Sequence, residues 1–386
     1  MRERIVRELR HAAEQSALDR RRWLELPDRL SEIAISTINT FCLSLLREFP
    51  LEADVDPAFD LADETEVPRL IASSLDRTMR ILVNVARGDG DVALVLAQLG
   101  ISRTREGLAT LLDRRLVAWA ALDRFLVRGP RDLTSAGICA GATEALQRAL
   151  ATVPGGLARF IADGPTGHPR YALFVRDARR LGDLRDAPDR TIRAVLERVS
   201  GHFLTNEGKA RKGSTVYPYN ATHYPSRDAM RRHRDAVMQT ASVVEAAMFA
   251  FNRDLNVVLA RGVRRMFGIA LDQYRRALDE RSVLDFSDVL EKAVELLRKM
   301  DEFSQSRFRL ESRYHHVLVD EFQDTSRAQW ELVSLLVQAW REGLGVATSP
   351  SIFIVGDRKQ SIYRFRDAEV GVLEHAATFL RGLCVG

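Results

Sequence analysis

Between positions 3 and 26 apolar residues recur at helical spacing among Arg and Glu, and the run stops before Pro27, which predicts one amphipathic helix. The string Ile33-Ala34-Ile35-Ser36-Thr37 then predicts a short strand, and a helix over about 39–48 is stopped by Pro50. From 51 to 280 the pattern is almost entirely helical, for instance over 69–85 and 234–276. Loops such as Pro154-Gly155-Gly156 and Gly164-Pro165-Thr166-Gly167 break it. After Leu284 the character changes: a helix through Leu297 precedes two apolar runs, Val317-Leu318-Val319 and Ile352-Phe353-Ile354-Val355. Runs without polar alternation suit strands covered on both faces, so a parallel sheet flanked by helices is expected. The predicted class is therefore α/β but helix-dominated. A partial sheet is contributed by 1–50 and 281–386, and a large all-α insertion fills 51–280.

Composition narrows this only a little. The 386 residues suit two to three domains, and 46% hydrophobic with 28% charged residues is a globular rather than a disordered balance. A net charge of +4 leans weakly towards a polyanionic partner. Only Lys209, Lys212, Lys292, Lys299 and Lys359 are lysines, so 52 of the 57 basic residues are Arg, the side chain suited to bidentate phosphate contacts. Cys42, Cys139 and Cys384 lie far apart without metal-ligand spacing, so neither disulfides nor zinc are expected. No apolar leader follows Met1 and no run is long enough to span a membrane, so a cytoplasmic protein without a membrane partner is expected.

The chemistry concentrates at the ends of the two late strands. Val317-Leu318-Val319 runs directly into Asp320-Glu321-Phe322-Gln323-Asp324-Thr325. Ligands of open α/β sheets bind at the carboxyl ends of strands, which would put Asp320 and Glu321 in a crevice. Phosphoryl transfer needs a carboxylate for Mg²⁺ and a polar group to orient the attacking water, and Asp320 and Glu321 suit those roles in that order. A strand that merely ends in a solvated acidic turn has the same residues. The second strand continues as Gly356-Asp357-Arg358-Lys359-Gln360-Ser361-Ile362-Tyr363-Arg364-Phe365-Arg366, an amide beside aromatic rings and cations. Such a segment can link a nucleotide site to a single strand through ring stacking and phosphate neutralisation. Tyr363 and Phe365 also fit as core aromatics beside a basic turn.

Taken together and in this order, the two strings resemble motifs II and III of the UvrD/Rep-type superfamily 1 DNA helicases. The resemblance implies a RecA-like domain of the P-loop NTPase type using ATP and Mg²⁺. It implies that Asp320 coordinates Mg²⁺, that Glu321 activates water, and that Gln360 contacts the γ-phosphate, with Gln323 and Asp324 also in the nucleotide site. Tyr363, Phe365 and Arg366 would meet single-stranded DNA. Thr37-Ile38-Asn39-Thr40-Phe41-Cys42 resembles the family's DNA-touching Thr-x-His-x-Phe-Cys segment, which adds Thr37, Asn39 and Phe41 to the expected DNA contacts. Leu284-Asp285-Phe286-Ser287-Asp288 resembles the segment where the chain re-enters the motor domain. The long interval between these two resembles the AddA/RecB branch, as do Phe49-Pro50-Leu51-Glu52-Ala53 and the stretch from Phe203 to Lys209. The branch implies an ATP-dependent translocase of double-strand-break repair, working on single-stranded and duplex DNA with an AddB- or RecC-like partner subunit.

Several positions depart from the family pattern. Asn39 replaces His, Arg358 stands where Pro is common, and Asp367 stands where Gly usually follows. No Gly-x-x-x-x-Gly-Lys-Ser/Thr string occurs, and only Lys209 follows a Gly. The expectation is a chain that starts within the motor, lacks the phosphate loop and second RecA-like domain, and exposes apolar sheet surface. An inactive fragment that holds DNA or a subunit through the helical insert is the alternative. Arg227, Arg231, Arg232 and Arg234 with Lys209, Arg211 and Lys212 would be its basic patch, unless they form only a solvated face.

Overall fold

The computed structural model describes residues 2–25, 34–63, 65–127, 129–130, 132–184, 187–213, 217–338, 351–357 and 370–384. Two compact units emerge. Unit 1 is formed by Met1–Leu70, Arg114–Val117 and Arg275–Gly386, and unit 2 by Ile71–Asp113 and Ala118–Tyr274. Helices dominate both, and the sheets are small and parallel. β1 (Asp60–Leu61) pairs with β2 (Val283–Leu284), and β3 (His316–Val319) pairs with β4 (Ser351–Ile354). This is a helix-rich α/β fold, with the two apolar runs after position 315 forming the β3–β4 pair in the register Val317↔Ile352 and Val319↔Ile354. Among the described residues no helix is long and apolar enough to cross a membrane.

The core of unit 1 is organised by the helix Phe286–Lys299. Its buried residues Val289, Leu290, Ala293, Val294, Leu296 and Leu297 fall on one face at helical spacing. They meet Cys42, Leu45 and Leu46 from the helix Ile38–Glu48, and Leu332 and Leu336 from the helix Arg327–Gln338. Asp285 starts the central helix by accepting the Asp288 N–H at 2.9 Å, and Arg298 and Lys299 sit at its carbonyl end, where cations are favoured. Burial pushes the Cys42 thiol up to about 12, so it behaves as a small apolar side chain.

Among the described residues, unit 2 is all helix apart from a single bridge between Leu204 and Ala210. Its core gathers Phe160, Tyr171, Phe174, Phe203, Tyr219 and Tyr224 around the aliphatic faces of the helices Ser135–Ala151 and Asp189–Phe203. Gly164 permits this packing, since a Cβ there would fall 1.9 Å from the Tyr171 hydroxyl.

Three expectations from the pattern are corrected. The predicted helix over 3–26 is two helices, Arg2–Gln15 and Ala17–Glu25, because Ser16 leaves the helix and turns its hydroxyl to the Asp19 N–H at 3.4 Å. The predicted strand at Ile33-Ala34-Ile35-Ser36-Thr37 is not one. Residues 34–37 pair with no strand among the described residues, Ile35 is 39% exposed, and Thr37 caps the next helix; residue 33 lies outside the described residues. A strand exists only where a neighbour supplies hydrogen bonds, and local composition cannot supply one. The sheet is also not covered on both faces. Val319 is buried, whereas Leu318 and Phe353 are 68% and 63% exposed.

Candidate functional site

Pairing between the late strands continues beyond their ends and sets their following loops side by side. The Val355 N–H donates to the Val319 carbonyl at 2.8 Å, and the Phe322 N–H donates to the Val355 carbonyl at 2.9 Å. Between these bonds the chain turns sharply: Asp320 accepts the Glu321 N–H at 3.0 Å, and Glu321 takes left-handed backbone angles, φ 51° and ψ 41°. For a residue with a Cβ this conformation is strained by about 1–2 kcal/mol. A short 3₁₀ turn, Phe322–Asp324, follows and is closed by the Asp324 N–H on the Glu321 carbonyl at 3.0 Å. Phe322 holds the turn down, fully buried with its ring edge against Trp330 at 5.5 Å.

Gln323 joins the two loops. Its amide donates to the Glu321 carboxylate and its carbonyl oxygen accepts the Asp357 N–H at 2.9 Å. Gly356 makes room for this: a Cβ there would lie 2.9 Å from Gln323 Oε1 and 3.1 Å from the Gln323 backbone nitrogen. The result is an exposed acidic pair, Asp320 and Glu321, at the carboxyl end of a parallel strand and backed by a buried amide. Asp324 Oδ1 is buried with no hydrogen-bond partner among the described residues. An oxygen lone pair in that condition is costly unless something else donates to it or coordinates it.

The other residues singled out in the sequence are distributed as follows. Thr37 is exposed and accepts the Thr40 N–H at 3.2 Å as the cap of the helix Ile38–Glu48, and Asn39 is half-buried in its first turn. Phe41 is partly buried and packs edge-on against Tyr314, with ring centroids 5.3 Å apart. Gln360, Tyr363, Phe365 and Arg366 lie outside the described residues, as do Arg358 and Asp367. The basic patch is largely consumed internally: Arg232 makes a bidentate pair with Asp163, Lys209 pairs with Glu245 at 3.4 Å, and Arg211 and Arg234 flank the Tyr217 ring.

Two buried polar clusters were not singled out by the sequence pattern. In unit 1, Arg115 reaches both Asp285 and Asp288, the latter at 2.9 Å, and burial pushes Asp288 up to about 6 despite the guanidinium beside it. In unit 2, His233 Nδ1 faces the Phe160 carbonyl at 3.0 Å, which can only accept, so that nitrogen carries the proton. His202 Nε2–H then donates to His233 Nε2 at 3.0 Å, leaving His202 Nδ1 to face the Tyr219 hydroxyl at 3.4 Å. Burial lowers both imidazoles, His233 to about 4. The spacing Val195, Val199, His202 places one of them on the apolar stripe of its helix, a signal available in the sequence.

Comparison with known proteins assigns the chain to a family. The model of the UvrD/REP helicase N-terminal domain matches residues 1–379. The chain is 28% identical over 404 residues to AddA, one subunit of the ATP-dependent helicase/nuclease, from Geobacillus kaustophilus (strain HTA426), an alignment covering 95% of this chain and 30% of that protein. It is 29% identical over 377 residues to the protein of the same name from Desulforudis audaxviator (strain MP104C), covering 88% and 29%. The chain thus spans under a third of the length of these relatives. With the match running through nearly all of its 386 residues, this chain belongs to the UvrD/Rep helicase N-terminal domain family.

Proposed function

We propose that this chain carries the metal and water-activating half of the ATP site of a DNA helicase or translocase working in double-strand-break repair. In this reading unit 1 is the interrupted RecA-like lobe and unit 2 is the inserted helical domain. The supporting observation is the Gln323 bridge, which fixes the exposed Asp320–Glu321 pair beside the loop that leads into Gln360. The donors fit Mg²⁺, a hard cation that takes oxygen ligands and keeps several waters. Asp320 would hold the ion, Glu321 would take a proton from the attacking water, and Asp324 Oδ1 is a buried acceptor in want of a donor. Gln323 would position Glu321 and respond to the other loop, where Gln360 would meet the γ-phosphate. A Mg²⁺ held there by Asp320 would supply charge neutralisation for the developing phosphate charge. Thr37, Asn39, Phe41, Tyr363, Phe365 and Arg366 would contact single-stranded DNA. The relatives' name, which makes each of them one subunit of a helicase/nuclease, further suggests action with an AddB- or RecC-like second subunit.

A glycine-rich phosphate loop is not among the 386 residues. The chain alone is therefore expected to bind Mg·ATP weakly and not to turn it over. Calorimetry with Asp320→Ala and Glu321→Gln tests the assignment. Asp320→Ala should abolish the Mg²⁺-dependent part of binding, and Glu321→Gln should retain it. In a full-length protein carrying this segment, Glu321→Gln should lower ATP hydrolysis at least about 100-fold. Unchanged hydrolysis there would refute the role of Glu321, and helicase-like turnover by the chain alone would refute the need for a phosphate loop.

A further inference from the structure

The helix Pro169–Arg180 in unit 2 carries four arginines against one carboxylate, Asp177. That carboxylate is buried and already shared: it accepts Arg198 Nε at 2.5 Å and Arg176 Nε at 3.1 Å. Arg179 and Arg180 are exposed and make no ion pair or hydrogen bond with the described residues; Asp183, just beyond the helix, pairs with neither. With Arg176, Thr166, Ala172 and Val175 they line a cleft of about 500 Å³. Its wall follows two rows of the helix, Ala172–Arg176–Arg180 and Val175–Arg179, in which side chains four residues apart stand on one face. Each row therefore begins apolar and becomes cationic one turn later. The cleft offers no open ring, because Tyr171 is fully buried and its hydroxyl reaches the Phe160 and Ile161 carbonyls at 3.2 Å.

We propose that this cleft docks an extended acidic segment of a partner protein, one that presents an aliphatic side chain followed by two carboxylates on the same face. Residues 172, 176 and 180 succeed one another by about 6 Å along the helix axis. Side chains on one face of an extended peptide recur about 6.7 Å apart, so the aliphatic group lies over Ala172 and Val175 while the carboxylates meet Arg176 and Arg180. A guanidinium takes a carboxylate with two parallel hydrogen bonds, and Arg179 stands between the two positions to assist either. The Thr166 hydroxyl is left to donate to a main-chain carbonyl of the peptide. A nucleic-acid strand suits these surroundings less well: its bases need aromatic rings to stack on, and its phosphates leave the aliphatic end of the cleft uncovered. The docking site uses neither Asp320 nor Glu321 and is measured without nucleotide, so it stands or falls separately from the ATP-site assignment.

The test is fluorescence anisotropy of the whole chain with a labelled peptide reading leucine, serine, glutamate, serine, glutamate. It is set against the same peptide with glutamine for both glutamates, and against a labelled single-stranded oligonucleotide. Arg179→Ala/Arg180→Ala is compared with Arg87→Ala/Arg103→Ala, which removes the same charge from exposed positions elsewhere in unit 2. The glutamate peptide should bind saturably. The glutamine peptide, and separately the first arginine pair, should each weaken binding at least about tenfold, the scale of a lost hydrogen bond to a charged group. Ala172→Glu, which puts a carboxylate where the leucine lands, should weaken it as well. The control pair should leave peptide binding unchanged, and circular dichroism should be the same for all variants. The proposal is overturned if the glutamate peptide does not bind, if the two arginine pairs behave alike, or if the glutamine peptide binds as tightly. A loss in the first pair confined to the oligonucleotide would assign the cleft to nucleic acid and overturn it too.

Discussion

Gln323 accepts the backbone N–H of Asp357 at 2.9 Å while its amide holds the Glu321 carboxylate, so one buried side chain connects the loops that follow β3 and β4. The two loops come within reach because the parallel register is carried past Val319 and Val355 by two further backbone bonds.

The Gly356→Ala substitution tests that connection. The new methyl would press on Gln323 Oε1 and on its backbone nitrogen, and backbone cannot yield as a flexible side chain can. We expect a loss of about 1–3 kcal/mol, the usual cost of overpacking, read from denaturant unfolding. Mg·ATP affinity should fall with it; unaltered stability would show that the loop shifts freely.

Glu321→Gly should behave in the opposite way. It releases the left-handed strain at φ 51° but adds freedom to the unfolded chain, so stability should stay level or rise by up to about 1 kcal/mol. The Mg²⁺-dependent part of nucleotide binding, which rests on Asp320, should persist. A destabilisation beyond about 1 kcal/mol would show that the Gln323 bond to this carboxylate outweighs the strain.

The Arg115 cluster predicts a pH dependence in unit 1. Asp288 titrates near 6 in the fold, above the ordinary carboxylate, so the folded state binds the extra proton and stability falls as pH rises through about 4 to 6. Asp288→Asn should flatten that slope. Arg115→Ala should cost about 3–5 kcal/mol, because it leaves two buried carboxylates without their cation. Hydrogen exchange of peptides from the helix Phe286–Lys299 reports both effects.

The histidine pair predicts the reverse in unit 2. Unfolded imidazole protonates near 6.5, whereas His233 in the fold resists until about 4 and His202 lies well below its ordinary value. The unfolded state therefore binds more protons as pH falls, and the stability of this unit should drop between about 6.5 and 4. Hydrogen exchange of the helix Asp189–Phe203 should accelerate over that window in the native chain. In His202→Gln/His233→Gln it should become nearly pH-independent, after correction for intrinsic exchange, though starting from lower stability. An unchanged profile in the variant would place the acid sensitivity elsewhere.

The sequence by itself determined whatever depends on neighbours along the chain. Apolar runs ending in Asp320-Glu321 and Gly356-Asp357 identify strand ends, and periodicity over 286–299 identifies the buried face of a helix, because both signals are written within one element. Only tertiary structure decided which segments pair. Residues 34–37 have the composition of a strand but no partner among the described residues, and Leu318 and Phe353 face outwards although their runs are continuously apolar. The left-handed Glu321, the Gln323 bridge, the Arg115 cluster and the His202–His233 chain all join residues through hydrogen bonds made after the backbone has already been placed. Such bonds leave no periodic trace, since their donors and acceptors are matched in space and not in order.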